Sequence, residues 1–302
     1  MGPSGSGKTS LIHAIAGKLK EDKKIKLSGM RYINDEPLNG DAQVPAAFIE
    51  QETNFFPHMT VKETLDFRVE LKLGRKLGKD DRDKLVADLL DALSLTKAAN
   101  TKVGNSKIRG VSGGERKRLS IACEMISSPT VIFLDEPTSG LDSFQAEQVV
   151  TTMRNLADSG ETVIAVIHQP SQKVFSMFDD LLLLSEGRQM YFGEVKKARA
   201  YFESIGYHAP KEVGTAEHVL DCISKITGDE DAEAESMERL DKISNHATKG
   251  AALIAFNPQG KVAKKRGMFS GALRDRPAAN IFQQFKLLLS RSLHEVFRGK
   301  LY

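Results

Sequence analysis

The chain has 302 residues, a formal net charge of +3, 40% apolar and 27% charged residues. This is ample for a large cored domain, and the basic excess is too small for a dedicated nucleic-acid binder. Cys123 and Cys222 cannot form a disulfide framework and point to a reducing compartment. No run approaches the roughly 18 apolar residues of a membrane span, and Met1 to Gly5 lacks the apolar stretch of a secretory leader.

The chain opens on Gly2-Pro3-Ser4-Gly5-Ser6-Gly7-Lys8-Thr9, which fits GxxxxGK[ST] at every fixed position. Glycines let backbone N–H groups turn inward around phosphate oxygens, and a helix start adds its positive dipole end. Lys8 is placed to reach the outer phosphates and Thr9 to hold Mg²⁺. Leu11, Ile12, Ile15 and Leu19 share one helical face directly behind the loop. A second helix is expected near 82–94, where Leu85, Leu89, Leu90 and Leu93 recur at threes and fours.

Val131 to Leu134 read as a buried strand that delivers Asp135 and Glu136 at its end. In such an arrangement the first carboxylate serves a magnesium ion and the second polarises an attacking water. Val163 to Ile167 read as a further buried strand. Leu181–Leu184 and Gln189–Phe192 flank Glu186-Gly187 as a hairpin. Apolar content is thin over 229–277, where an acidic patch (Asp229, Glu230, Asp231, Glu233, Glu235) precedes Lys264-Lys265-Arg266. That stretch reads as a flexible linker with at most a short helix. An amphipathic helix is expected after Pro277, with Ile281, Phe285, Leu288, Leu289, Leu293, Val296 and Phe297 on one side.

Val111-Ser112-Gly113-Gly114-Glu115-Arg116-Lys117-Arg118 precedes the two carboxylates. Here the sequence resembles the ATP-binding cassette family, whose signature has the form LSGGQ, and the GGERKR wording is similar to its G subfamily, the White and pleiotropic-drug-resistance type. Asp135 to Ser143 and Ile167-His168-Gln169-Pro170-Ser171 carry the same resemblance. It covers residues 2 to about 225 and implies an α/β P-loop (RecA-like) core, an α-helical subdomain near 58–128 and a partial antiparallel β-subdomain.

By the same resemblance, Gly2, Pro3, Ser4, Gly5, Ser6, Gly7, Lys8, Thr9 and Ser10 cradle ATP, and Thr9, Gln51 and Asp135 serve Mg²⁺. Glu136, His168 and Gln51 are the catalytic set. Ser112, Gly113, Gly114 and Glu115 face the nucleotide of an opposing cassette, and Asp142 lines the seam between them. Domains are expected at 1–228 (nucleotide-binding), 229–277 (linker) and 278–302, a connecting helix leading to a transmembrane domain, with the chain truncated at both ends. The expected partners are a second cassette, as homodimer or heterodimer, and that transmembrane domain; no nucleic acid is expected. The expected place is the cytoplasmic face of a membrane. The competing readings are a soluble cassette ATPase acting on ribosomes or DNA, a non-catalytic nucleotide-binding scaffold, and a small-molecule kinase. One cassette without sustained heptads disfavours the first, Glu136 disfavours the second, and the signature with His168 disfavours the third.

Overall fold

The computed structural model describes residues 1–33, 36–37, 46–73, 77–210, 212–251 and 284–292. The chain is an α/β protein that divides into two compact units, Met1–Ala42 with Ala165–Lys264, and Gln43–Ile164 with Lys265–Tyr302.

In the first unit, α1 (Lys8–Ile15) follows the glycine-rich loop. It is shorter than the sequence pattern suggests and excludes Leu19. The Gly17 N–H donates to Ala14 O and the Lys18 N–H to His13 O, with Gly17 at φ 72°, which is the Schellman closure of a helix. Strands β1 (Tyr32–Ile33) and β2 (Glu36–Pro37) form a small antiparallel pair. After the short α6 (Gln172–Phe175), strands β6 (Asp180–Ser185) and β7 (Arg188–Glu194) form the expected hairpin. Its two turn residues, Glu186 and Gly187, both have positive φ, as the twist of a two-residue hairpin demands. Helices α7 (Ala198–Ser204) and α8 (Thr215–Ile223) complete a core around Phe175, Leu183, Met190, Phe202, Val219 and Ile223.

The acidic stretch expected as linker departs from that expectation. Glu230–Ala251 is a helix, α9, that packs on β7. Its turns place Ser236, Leu240, Ile243, Ser244 and Ala247 on one buried stripe, and Leu240 and Ile243 join the core. Glu230, Asp231 and Glu233 occupy the first turn, where carboxylates favour the positive helix end. Asp229 accepts the Asp231 N–H at 3.1 Å through Oδ1, as a cap does. The acidic patch is therefore a helix start. Residues 252–277, with Lys264, Lys265 and Arg266, lie outside the described residues.

In the second unit, β3 (Ala46–Ile49) pairs in parallel with β4 (Val131–Asp135), Ala46 opposite Val131 and Ile49 opposite Leu134. β5 (Thr162–Val166) completes the order β3-β4-β5. Ile132, Phe133 and Leu134 are all buried, as an inner parallel strand requires, and Phe48 stacks on Phe133 at 6.2 Å. Helix α2 (Val61–Leu73) buries Val61, Leu65, Val69 and Leu73, spaced by four. Its start is closed by a reciprocal pair: Thr60 N–H donates to Glu63, and Glu63 N–H donates to the Thr60 hydroxyl. Helix α3 (Lys79–Ala92) buries Val86, Leu89 and Leu90, with Leu93 just beyond. Helices α4 (Gly113–Met125) and α5 (Ser143–Asp158) pack on each other, and α4 also packs on β3.

Of the expected terminal helix, residues 284–292 are helical. Phe285, Leu288 and Leu289 are exposed there, and the Arg291 guanidinium lies 4.0 Å over the Phe56 ring. Ile281, Leu293, Val296 and Phe297 lie outside the described residues.

Candidate functional site

The glycine-rich loop is anchored at its first residue. The Met1 amino group donates to Leu182 O at 2.7 Å, and the Leu184 N–H donates to Met1 O at 2.9 Å, so Met1 lies along β6. Burial, and secondarily the charge of Lys8, pushes that amino group down to about 5. Gly2 follows at φ 149°, and a Cβ there would stand 1.9 Å from Leu184 O. Only glycine passes so close to the hairpin backbone.

Gly7 is the cap of α1 and supplies no side-chain bond. Lys8 is 8% exposed, and its ammonium donates to Gly2 O at 3.0 Å and Pro3 O at 2.7 Å. It is folded over its own loop. Ser6 is buried, and its hydroxyl lacks a hydrogen-bond partner. Ser4, Gly5, Thr9 and Ser10 are exposed and Pro3 half-buried. A helix start behind a glycine-rich loop, a buried lysine and an orphaned hydroxyl suit an anion with several oxygens. His168, in the same unit, is exposed just beyond β5, beside Gln169 at φ 40°.

The carboxylates stand in the other unit. Asp135 ends β4 and is 7% exposed. Glu136 follows, half-buried, at φ 44°. A non-glycine residue in the left-handed region costs on the order of 1–3 kcal/mol, and it turns the Glu136 side chain off the strand line. Gln51 lies just past β3. Its Nε2 donates to Glu136 Oε2 at 3.0 Å and to Ser139 Oγ at 3.3 Å, while the Ser139 N–H donates to Glu136 O. Sequence order leaves Gln51 and Glu136 far apart, and the parallel pairing of β3 with β4 brings their ends together.

The signature stretch begins α4. Ser112 is its cap: Ser112 Oγ accepts the Glu115 N–H at 3.2 Å, and the Ser112 N–H donates to Glu115 Oε2 at 2.8 Å. The Gly114 N–H donates to Gln145 Oε1 at 2.9 Å. Gln145 in turn donates to Asp142 Oδ2 at 2.7 Å, and Asp142 caps α5. The family resemblance implies that Ser112 and the glycines face the nucleotide of an opposing cassette. In the structure the Ser112 and Gly114 amides are bonded within the chain.

Two participants are not singled out by the sequence, Lys117 and Gln145. Lys117 donates to Glu50 O and Gln51 O, and Ser120 Oγ lies 2.7 Å from Thr53 Oγ1. Gln145 had a legible signal, three residues after a helix-capping Asp142. Lys117 had none, because its partners are backbone carbonyls more than 60 positions away. Among the described residues no cluster of three or more His, Cys, Asp and Glu is placed to hold a metal, and no helix is long and apolar enough to cross a membrane.

Residues 1–139 match the family described as ABC transporter, and residues 168–245 match the one described as ABC-2 type transporter. The chain is 41% identical to ABC transporter G family member 7 of Arabidopsis thaliana, over 99% of this chain and 42% of the relative. It is 38% identical to G family member 21 of the same plant, over 99% of this chain and 47% of the relative. With G family member 1 of Dictyostelium discoideum it shares 40% identity, over 76% of this chain and 29% of the relative. The chain thus spans less than half the length of these relatives. It belongs to the ATP-binding cassette family, among the G-type members, and carries the family's nucleotide-binding domain.

Proposed function

We propose that this chain is the ATP-hydrolysing motor of a G-type membrane transporter, working as one of two cassettes on the cytoplasmic face of a membrane. Family membership and the order of the motifs support this reading. The observation that carries it is the contact of Gln51 with Glu136 beside the buried Asp135.

In this reading Lys8 and the amides at the start of α1 bind the ATP phosphates. Thr9, Gln51 and Asp135 would hold Mg²⁺, which when bound would supply positive charge to offset that of the phosphates. A magnesium site keeps several waters and needs only one or two protein oxygens. Glu136 orients and deprotonates the attacking water, and its carboxylate leaves Gln51 to do so. His168 contacts the terminal phosphate. Ser112, Gly113, Gly114 and Glu115 of one chain close on the nucleotide of the other, with Asp142 along the seam. For Gly114 this means exchanging Gln145 for a phosphate oxygen. Hydrolysis then opens the pair and moves the membrane partner.

Replacing Glu136 with Gln tests the reading. Steady-state hydrolysis should fall at least about 100-fold, equivalent to roughly 3 kcal/mol of barrier. Light scattering should meanwhile show an ATP-dependent dimer accumulating. A Glu136→Gln chain that hydrolyses ATP at the wild-type rate, or that stays monomeric with ATP, would overturn it.

A further inference from the structure

Lys117 lies just inside α4, and at 9% exposure it is nearly withdrawn from water. Its ammonium donates to Gln51 O at 2.7 Å and to Glu50 O at 3.2 Å. One turn further, Ser120 bonds Thr53. Residues three apart share a helix face, so one face of α4 grips the segment 50–53 at two points. A compact, strongly hydrated cation is an expensive group to bury. Here it is held by peptide carbonyls, which cannot swing away as a side-chain carboxylate can. The position of Gln51 backbone is therefore tied to the position of α4.

The same helix carries the signature residues one turn before Lys117: Ser112, Gly113 and Gly114 make its cap and first turn. Gln51 passes its own position on through its amide to Glu136 and Ser139. We propose that Lys117 is a positioning residue that couples the signature turn to Gln51, so that a shift of α4 is delivered to the carboxylate Glu136. The proposal rests on the motor reading above. In a pair of cassettes the signature of one chain meets the nucleotide of its partner, whereas Gln51 serves the chain's own. Lys117 then forms the link within one chain between two nucleotides. A helix is stiff enough to act as the lever, and the two hydrogen-bonded anchors are its fixed points.

The test is Lys117→Met, which keeps the aliphatic stem and removes the donors, alongside Lys117→Arg, which keeps a charged donor. In the 302-residue chain without nucleotide, backbone hydrogen exchange over residues 50–54 should speed several-fold in Lys117→Met and stay near wild type in Lys117→Arg. With Mg-ATP, kcat of Lys117→Met should fall roughly tenfold while KM moves less than about twofold, because phosphate binding does not depend on the tie. The dependence of rate on ATP should flatten from sigmoidal to hyperbolic, and Lys117→Arg should restore most of kcat. Unchanged exchange over 50–54, or a Lys117→Met chain with wild-type kcat and wild-type sigmoidicity, would overturn the proposal. A wild-type chain without ATPase activity would instead remove the motor reading. Hydrogen exchange would then decide alone whether Lys117 positions Gln51.

Discussion

Two helices of this protein begin in glycine-rich sequence, and their starts are built differently. At α1 the cap is Gly7, with no side-chain bond, and the nearby lysine rests on the loop's own carbonyls. At α4 the cap is Ser112 in a full reciprocal box with Glu115, and Gln145 holds the Gly114 amide. The first start has no side chain at its cap position. The second satisfies itself and must give up at least one bond before it can meet an anion. Similar composition thus yields a start without a side-chain cap and a start that caps itself. In the proposed cycle this difference makes the α1 site bind first and the signature close second.

Three substitutions would break or sharpen that contrast. The largest effect is expected from Lys8→Ala, which removes a buried cation from the open start. Titration calorimetry should show ATP affinity falling about 100-fold, roughly 3 kcal/mol, as two charge-assisted contacts are lost. Unchanged affinity would mean that the loop of α1 is not the anion site, and the contrast collapses. Ser112→Ala removes the cap of the self-satisfied start and should cost about 1 kcal/mol of stability, read as a fall of a few degrees in Tm. If Tm holds, the Gly114–Gln145 bond carries the helix start instead. The smallest effect is expected from Gln145→Ala. It frees the Gly114 N–H, at about 0.5 kcal/mol of stability, and should tighten the ATP-bound dimer of a Glu136→Gln background about twofold. A weaker dimer in sedimentation would show that Gln145 supports the signature rather than competing for it.

The legible part of this fold was the part written in short-range periodicity. The runs Val131–Leu134 and Val163–Ile167 became β4 and β5 almost to the residue, and Glu186-Gly187 became the hairpin turn. Leu89, Leu90 and Leu93 lie buried on or beside α3 as their spacing implied. The failures have physical causes. Helix α1 stops at Ile15 because Gly17 closes it, although Leu19 continues the apolar pattern. Helix α9 was hidden because only a narrow stripe is buried among its described side chains, and two members of that stripe, Ser236 and Ser244, are polar. Composition averages such a stripe away; only the facing β7 and its core show that Leu240 and Ile243 suffice.

In the candidate site the chemical groups were readable from residue type and spacing, because phosphate loops and paired carboxylates need particular atoms in a particular order. Lys8, Thr9, Asp135, Glu136 and the signature residues come from that level. What holds them was not readable. Gln51 meets Glu136 across 85 positions because two parallel strands end side by side, and Lys117 reaches backbone carbonyls that any residue type would supply. The sequence by itself therefore determined which reactive groups this protein carries and which family it joins. Their mutual support, through Gln145, Lys117, Ser139 and the left-handed turn at Glu136, was decided by tertiary packing, since hydrogen bonds between distant segments have no local period in the chain.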